Sequence, residues 1–494
     1  MSEGGTSSEL PEGWIRVRLG DILARIEAGK SYKCEPRPAS AEEWGVIKVS
    51  AMTWGDFDEG ENKAVPLGFP INPDYEIRPG DILLSRANTA AYVGASVLVR
   101  QCRPRLLLSD KSLRLVPAEG VDREWLAYLL SSPEIRSRIS ARATGTKDSM
   151  RNISQGALSE LECLLPPLEE QQRIVVALEE QLSRLDAAVA NLGAAVARTR
   201  PYLRSLLREM IPDVAPQHWE SSTVGDAGTV ELGRQRHPDW HNGPNMRPYL
   251  RVANVYEDRI DVSDLKEMDF SGVFEKFRLH SGDVLLNEGQ SPELVGRPAI
   301  YRGEPPNVAF TNSLIRFRGR PGVLPEWALL VFRRHMHVGR FKREARITTN
   351  IAHLSAARLK GIEFPIPPVS EQEQLIKLAS ERFSALDRMI AALRKQQQQA
   401  AALRRSLLAE AFAGRLVPQD PADEPATVLL ERIRAEREAA GAAKPRRRAP
   451  RRAPAQRART QGAAPATDAP PPPRADAPSL AAATQPTLDL EMPS

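Results

Sequence analysis

The sequence predicts an α+β protein built as two similar globular domains, each followed by a long helix, with a disordered C-terminal tail. Three observations predict it. Short matches recur at a nearly constant offset along the chain. Each set of matches holds strand-like runs broken by Gly and Pro. Each set then ends in a Pro-Pro pair that opens a long amphipathic stretch.

The offset is the primary signal, because self-similarity at a fixed period marks a duplicated unit. Pro79-Gly80-Asp81-Ile82-Leu83-Leu84 returns as Ser281-Gly282-Asp283-Val284-Leu285-Leu286, a shift of 202. Gly94 and Gly296, and Glu124-Trp125 and Glu326-Trp327, keep that shift. Ser112-Leu113, Pro166-Pro167, Glu170-Gln171, Leu185-Asp186 and Ser205-Leu206-Leu207 reappear at a shift of 201. Asn152-Ile153 matches Asn350-Ile351 at a shift of 198. Between the matches the copies diverge.

Strands are expected at 45–50, 81–85 and 95–100, where apolar runs are bounded by turn residues. A short helix should start near Asp122 and stop before Pro133. The long helices should cover 168–210 and 369–413. Each Pro-Pro stands just outside its helix, where a missing N–H costs nothing. In the first helix Leu178, Leu182, Leu185, Val189, Leu192, Val196, Thr199, Leu203, Leu206 and Met210 alternate four and three residues apart. That is the 3.5-residue period of a coiled-coil seam. The second carries Leu375, Ala379, Phe383, Leu386, Ile390 and Leu393, weakens at Gln396 to Gln399, and resumes at Leu403, Leu407 and Ala411. Packing the stripes on each other buries both. At ~1.5 Å per residue each helix is about 65 Å long, which suits a spacer; a dimerisation arm is the alternative.

Charge is unevenly placed. The formal net charge is +5, and residues 441–494 alone hold nine Lys/Arg against four Asp/Glu. The two repeats are therefore near neutral, and any nucleic-acid contact there has to be local. The Ala/Pro/Arg-rich tail cannot bury enough apolar surface to fold. It is a solvated tail, a non-specific phosphate contact, or both. Three scattered cysteines, Cys34, Cys102 and Cys163, form no disulfide framework, which points to a reducing compartment. The first residues lack an apolar signal core and no run is long enough for a membrane span, so a cytoplasmic location without membrane contact is expected.

Catalytic signatures are missing. Gly29-Lys30-Ser31 resembles the end of a phosphate-binding loop, but Ala24 stands where its first glycine belongs. The histidines all follow the first long helix. His237/His241 and His335/His337 have ligand-like spacing without a cysteine or carboxylate cluster, so exposed loop histidines are the expectation. Binding or scaffolding is thus favoured over catalysis.

Several segments together resemble the DNA specificity subunit of type I restriction–modification systems. They are Leu10-Pro11-Glu12-Gly13-Trp14, weakly echoed by Ala215-Pro216-Gln217-His218-Trp219, and Gly80-Asp81-Ile82-Leu83-Leu84-Ser85-Arg86. The most specific are Leu164-Leu165-Pro166-Pro167-Leu168-Glu169-Glu170-Gln171-Gln172-Arg173-Ile174 and Ala411-Phe412-Ala413-Gly414-Arg415-Leu416-Val417-Pro418-Gln419-Asp420. The resemblance implies target recognition domains at 10–151 and 213–349, helical spacer regions at 152–212 and 350–436, and a basic tail at 437–494. It implies antiparallel pairing of the helices as a coiled coil, and a bipartite, non-palindromic site on double-stranded DNA. No cofactor, metal or catalytic site is expected in this chain. Two methyltransferase subunits would bring S-adenosylmethionine, and two restriction subunits, where present, ATP and magnesium. The rival readings are a fused methyltransferase or nuclease and a coiled-coil adaptor without a DNA role.

Candidate DNA contacts are loop residues whose side chains suit bases or phosphates, since Arg and Lys suit guanine and phosphate while Asn and Gln suit adenine. In the first unit they are Lys30, Ser31, Lys33, Arg86, Asn88, Thr89, Thr146, Lys147 and Arg151. In the second they are Arg234, Gln235, Arg236, Asn287, Gln290, Arg343, Arg346, Thr348 and Asn350. Glu288 stands in place of Arg86, and either accepts from a cytosine amino group or is structural.

Overall fold

The computed structural model describes residues 10–53, 55–147, 150–348 and 350–442. Both globular bodies carry the same three sheets. The first body has a four-stranded antiparallel sheet in the order Leu23–Ala28, Ser112–Pro117, Ile82–Ser85, Ser96–Leu98. The second has Gly228–Leu232, Leu314–Gly319, Val284–Asn287, Pro298–Ile300 in that order. A smaller mixed sheet flanks each. Gly45–Ile47 pairs antiparallel with Asn62–Ala64 and parallel with Leu106–Leu107, as Met246–Leu250 does with Lys266–Asp269 and Ala309–Phe310. A third sheet is a ribbon, Thr144–Lys147 with Met150–Asn152 and Ala87–Asn88, or Arg346–Thr348 with Ile351–His353 and Gly289–Gln290.

The repeated Gly-Asp step has a local cause. Gly80 and Gly282 adopt φ of +93° and +94°, a conformation open to glycine at little cost. The following Asp81 and Asp283 carboxylates each accept a backbone N–H three residues back, from Arg78 and His280, both at 2.9 Å. This turn launches Ile82–Ser85 and Val284–Asn287, which are buried at every position. The helix expected after Asp122 spans Arg123–Ser131, and Asp122 Oδ1 caps it by accepting from the Trp125 N–H at 2.8 Å. Its counterpart is Pro325–His337, with Trp327 fully buried as Trp125 is.

The long helices span Leu168–Met210 and Val369–Phe412. They run antiparallel. Leu178 and Leu182 near the start of the first share a core with Leu408, Ala411 and Phe412 at the end of the second. Arg404 Nη1 reaches Asp186 Oδ1 at 2.6 Å further along. At the opposite end, the helix Pro325–His337 bridges the two. Arg334 Nε donates to the Ile211 carbonyl at 2.8 Å, and the Arg333 guanidinium lies 4.3 Å from the centre of the Phe383 ring. One globular body therefore sits at each end of the pair.

The seam differs from the expected stripe in its middle. Leu178, Leu182, Thr199, Leu203, Leu206 and Met210 are buried, but Val189 is exposed. In the second helix Ala400 is buried and Leu403 is half exposed, so Leu403 lies off the seam. Ile390, Ala400 and Ala411 keep one a/d phase across the glutamine run, with Leu408 buried beside it, and that phase puts Leu403 at a g position, off the seam.

Each helix starts with the same buried knot. Glu170 and Gln171 are fully buried. Trp14 Nε1 donates to Glu170 Oε2 at 2.8 Å, and Trp219 Nε1 donates to Glu371 Oε1 at 3.0 Å. Gln171 Oε1 accepts from the Asp122 N–H at 2.9 Å, and Gln372 Oε1 from the Leu324 N–H at 3.0 Å. Their amide Nε2 groups donate to the Pro166 and Pro367 carbonyls at 3.0 and 2.8 Å. The Glu-Gln repeat thus fastens each body to its helix.

The domain edges move accordingly. Strand Glu162–Leu165 pairs with Ile15–Arg18, and Ile153, Leu158 and Leu161 are fully buried in the first body, which therefore runs past 151 to Leu165. In the second body, bridges Glu220↔Ile366 and Thr223↔Glu363 do the same. After Phe412 the chain folds back on the first body. Ala426 N donates to Gly13 O at 3.0 Å, Arg173 grips Asp423 with bonds of 3.0 and 2.5 Å, and Gln419 Nε2 reaches Glu170 Oε1 at 3.1 Å. A last helix, Ala426–Ala442, carries helical structure six residues into the region 437–494 expected to be disordered. The remainder of that tail lies outside the described residues.

Candidate nucleic-acid interface

Three loops meet at one end of the four-stranded sheet in each body. Gly29 and Lys30, past the end of strand Leu23–Ala28, donate to the carbonyls of Ser112 and Leu108 at 3.4 and 3.3 Å. Arg86, past Ile82–Ser85, donates to Lys111 O at 2.9 Å and accepts from Ile153 N at 3.0 Å, which ties in the ribbon. The second body repeats this wiring. Gly233 donates to Leu314 O at 3.3 Å, Arg234 to Phe310 O at 3.1 Å, Glu288 to Ser313 O at 3.0 Å, and Leu354 to Glu288 O at 2.8 Å. Glycine permits the close approach: a Cβ on Gly29 would sit 2.3 Å from the Leu108 and Ser109 oxygens, and on Gly233 2.4 Å from the Thr311 oxygen.

The convergence brings together the segments 29–33, 86–89, 144–147 and 150–152 of the first body. Lys30, Ser31, Lys33 and Thr89 are exposed. Asn88 is half-buried and spends its carbonyl on the Thr89 N–H at 2.9 Å, a local turn bond. Arg86 and Arg151 are half-buried, and the Nε of each is buried with no acceptor among the described residues. Arg151 also donates through Nη1 to the Gly145 carbonyl at 3.2 Å. Thr146 and Lys147 lie on the ribbon strand Thr144–Lys147, and their side chains are outside the described set.

In the second body Gln235, Arg236, Arg343, Arg346, Thr348 and Asn350 are exposed. Arg343 lies on the short helix Arg340–Glu344 and donates to Val338 O at 3.3 Å. Gln290 is half-buried, its Oε1 accepting from the Ser291 N–H at 3.1 Å. Arg234 is held by the protein. Its guanidinium lies 4.0 Å from the Trp240 ring centre and 5.2 Å from that of Phe270 and bonds the Asp269 carbonyl. Asn287 has to be corrected: it is fully buried and donates to the Val255 carbonyl at 3.3 Å, so its side chain is a packing group rather than one offered at the surface. Glu288 Oε2 lies 3.2 Å from His353 Nδ1, a structural use of that carboxylate.

Two sequence matches are out of register. Ser112 opposes Ser85 and Leu314 opposes Asn287, so Ser112-Leu113 corresponds to Leu314-Ile315, a shift of 202 rather than 201. Ile153 and Leu354 are both fully buried, and each donates its N–H to the equivalent carbonyl, of Arg86 or Glu288. Ile153 therefore corresponds to Leu354 and Asn152 to His353, a shift of 201 rather than 198. Asn350 stands in the turn of the ribbon and is not the counterpart of Asn152. Met150 and Ile351 become equivalent, a pair the shorter shift concealed. Burial of the second Leu, in line with the 201 shift seen elsewhere, was the signal that would have found it.

The histidine pairs hold no metal set: no group of three or more His, Cys, Asp or Glu side chains suited to a metal occurs among the described residues. His335 and His337 are on the helix Pro325–His337 and not in a loop, which corrects the expectation for that pair. His335 is fully buried with Nε2 2.9 Å from the Glu363 carbonyl, and burial pulls its pKa down to about 4. His337 Nε2 lies 2.9 Å from Glu257 Oε1, and Arg333 Nε donates to the same oxygen at 2.6 Å. Burial raises the Glu257 pKa, but the Arg333 and His337 charges outweigh it and hold the carboxyl well below its ordinary range. These contacts lie within the second body, and Arg333 alone among them also reaches a long helix, at Phe383. No helix of the described residues is long and apolar enough to cross a membrane.

Comparison with known proteins fits the repeat. The family described as type I restriction modification DNA specificity domain matches residues 11–191 and again 216–402. The EcoEI specificity subunit of Escherichia coli is 33% identical over 197 residues, 40% of this chain and 33% of that protein. The EcoKI specificity subunit of Escherichia coli strain K12 is 24% identical over 474 residues, covering 90% of this chain and 99% of that protein. A chain from a structural study of complex assembly and conformational transition in the type I R-M system shares the fold, with TM-score 0.63 at 19% identity over 82% of this chain and 99% of that one. With two matches to one family spanning both bodies and much of both long helices, this chain belongs to the type I restriction modification DNA specificity family.

Proposed function

We propose that the chain reads a bipartite, non-palindromic site on double-stranded DNA, one half with each globular body, and that the helix pair fixes the gap between the halves. The observation that carries the reading is the placement of two bodies of one fold, with unlike loop side chains, at opposite ends of an antiparallel helix pair. Unlike readers specify unlike half-sites, because sequence is read from base edges while phosphate contacts only position the protein. A rigid spacer holds a distance that a flexible linker cannot.

The chain carries no catalytic site in this reading. Two methyltransferase subunits dock on it and bring S-adenosylmethionine. In a restriction complex two further subunits bring ATP and magnesium. The assembly works in the cytoplasm. The test is to express the chain with its methyltransferase partner, map methylated adenines across a genome, and repeat the mapping with the exposed Lys30, Lys33 and Thr89 of the first body replaced by alanine. The expected result is a two-part motif whose first half alone changes. A single continuous motif, or methylation unchanged by the replacement, overturns the proposal.

A further inference from the structure

We propose that Met150 and Ile351 are base readers that pack on the 5-methyl group of a thymine in the major groove, one in each half-site. The inference rests on the reading above, in which each body contacts half of a DNA site. It begins from the corrected register: Met150 and Ile351 open the equivalent strands Met150–Asn152 and Ile351–His353. Both are large apolar side chains, 47% and 50% exposed. An apolar side chain left exposed at one position says little, but the same position exposed in both copies asks for a cause.

Their neighbours say what covers them. Alternate residues of a strand share a face, and so do directly opposed residues. Met150 therefore shares a face with Asn152 and with Thr144, which opposes Asn152. Ile351 shares its face with Thr348 opposite it, and with His353 and Arg346. All of these neighbours are exposed. One apolar group set among hydroxyl, amide, imidazole and guanidinium groups is unlike a protein-docking patch, whose centre is depleted of charge. It suits a surface that is apolar at one point and polar around it. A two-stranded ribbon enters the major groove, and there the thymine methyl is the apolar group on the base edges. Thr and Asn beside Met150, and Arg, Thr and His beside Ile351, are the partners that base edges and phosphates require.

The test uses the full chain assembled with its methyltransferase subunits and a duplex bearing the mapped motif, in which each thymine in turn is replaced by deoxyuridine. That exchange deletes a methyl group and nothing else. One position in each half-site should weaken binding by about fourfold, the effect of burying one carbon group. Met150→Ala should abolish the sensitivity in the first half-site only, and Ile351→Ala in the second only, while Met150→Leu keeps it. Unchanged melting temperatures, expected for exposed positions, show that the variants fold. If no thymine responds, or the response persists in both alanine variants, the inference is overturned while the bipartite motif stands. If no bipartite motif is found, this inference falls together with the proposed function.

Discussion

Removing one heptad from each long helix should draw the half-sites together. Asp186 faces Arg404, so counting along the antiparallel pair sets residues 192–198 opposite 392–398. Deleting both stretches keeps the anchors at each end and replaces Leu192 by Thr199 in the seam. Seven residues at ~1.5 Å each shorten the pair by about 10 Å. At about 34 Å per ten base pairs, that is roughly three base pairs. The deletion rotates one body against the other by only ~20°, since seven residues are nearly two full turns. Three base pairs rotate the duplex by about 100°, given roughly ten pairs per turn. DNA twisting must absorb the difference, so methylation at the new site should be slower than at the old. The assay is the same genome-wide map of methylated adenines. The half-sites should be unchanged and the gap shorter by about three. Intact methylation at the original gap would refute the spacer argument.

Three further outcomes follow from individual contacts. Gly29→Ala should weaken reading of the first half-site and spare the second in binding assays with half-site duplexes, because its Cβ would lie 2.3 Å from two carbonyl oxygens that the loop cannot avoid. Asp423→Ala should lower stability by ~1–3 kcal/mol, visible as a reduced melting temperature, since it strips a paired acceptor from Arg173 and loosens residues 413–438 from the first body. Stability should also fall as pH drops from about 6.5 towards 4, because unfolded His335 takes a proton there while the buried folded form, held down to about 4, does not. The unfolded state then binds more protons, the slope is on the order of 1 kcal/mol per pH unit, and a denaturation series with His335→Gln should show a flatter fall.

How legible the fold was depends on the kind of signal. The Pro-Pro pairs, the Asp122 cap and the Gly-Asp turns act over a few residues, and the helices and strands they bound lie where the sequence places them. The edges of the bodies were not legible, because strands Ile15–Arg18 and Glu162–Leu165 pair across nearly the whole first repeat, a contact with no local trace. The seam is legible where Leu and Phe mark it and misplaced at Leu403, because small Ala400 carries the phase there while the larger Leu403 lies off it. The turn and charge signals mark the loop segments in the sequence, but not the environment of each side chain in them. Asn287 looks like a reader and is a packing residue, while Arg234 is held under Trp240. Met150 and Ile351 carry no hydrogen-bonding group that would mark them in the sequence, and their equivalence shows only once the ribbon register is known.

The knots at Glu170-Gln171 and Glu371-Gln372 have a mechanical consequence. Each is the joint between a globular body and a lever about 65 Å long, so a tilt of 1° at one joint displaces the far body by about 1 Å. A displacement of that size separates a good hydrogen bond from none. If the two bodies read one bipartite site, as proposed, its discrimination needs angular stiffness at two small joints. Each joint has a Trp indole and a Gln amide locking it from different directions, rather than a single contact about which the lever could pivot. A substitution there that leaves every reading side chain in place, such as Gln171→Ala, would blur the choice between sites before it unfolds the protein.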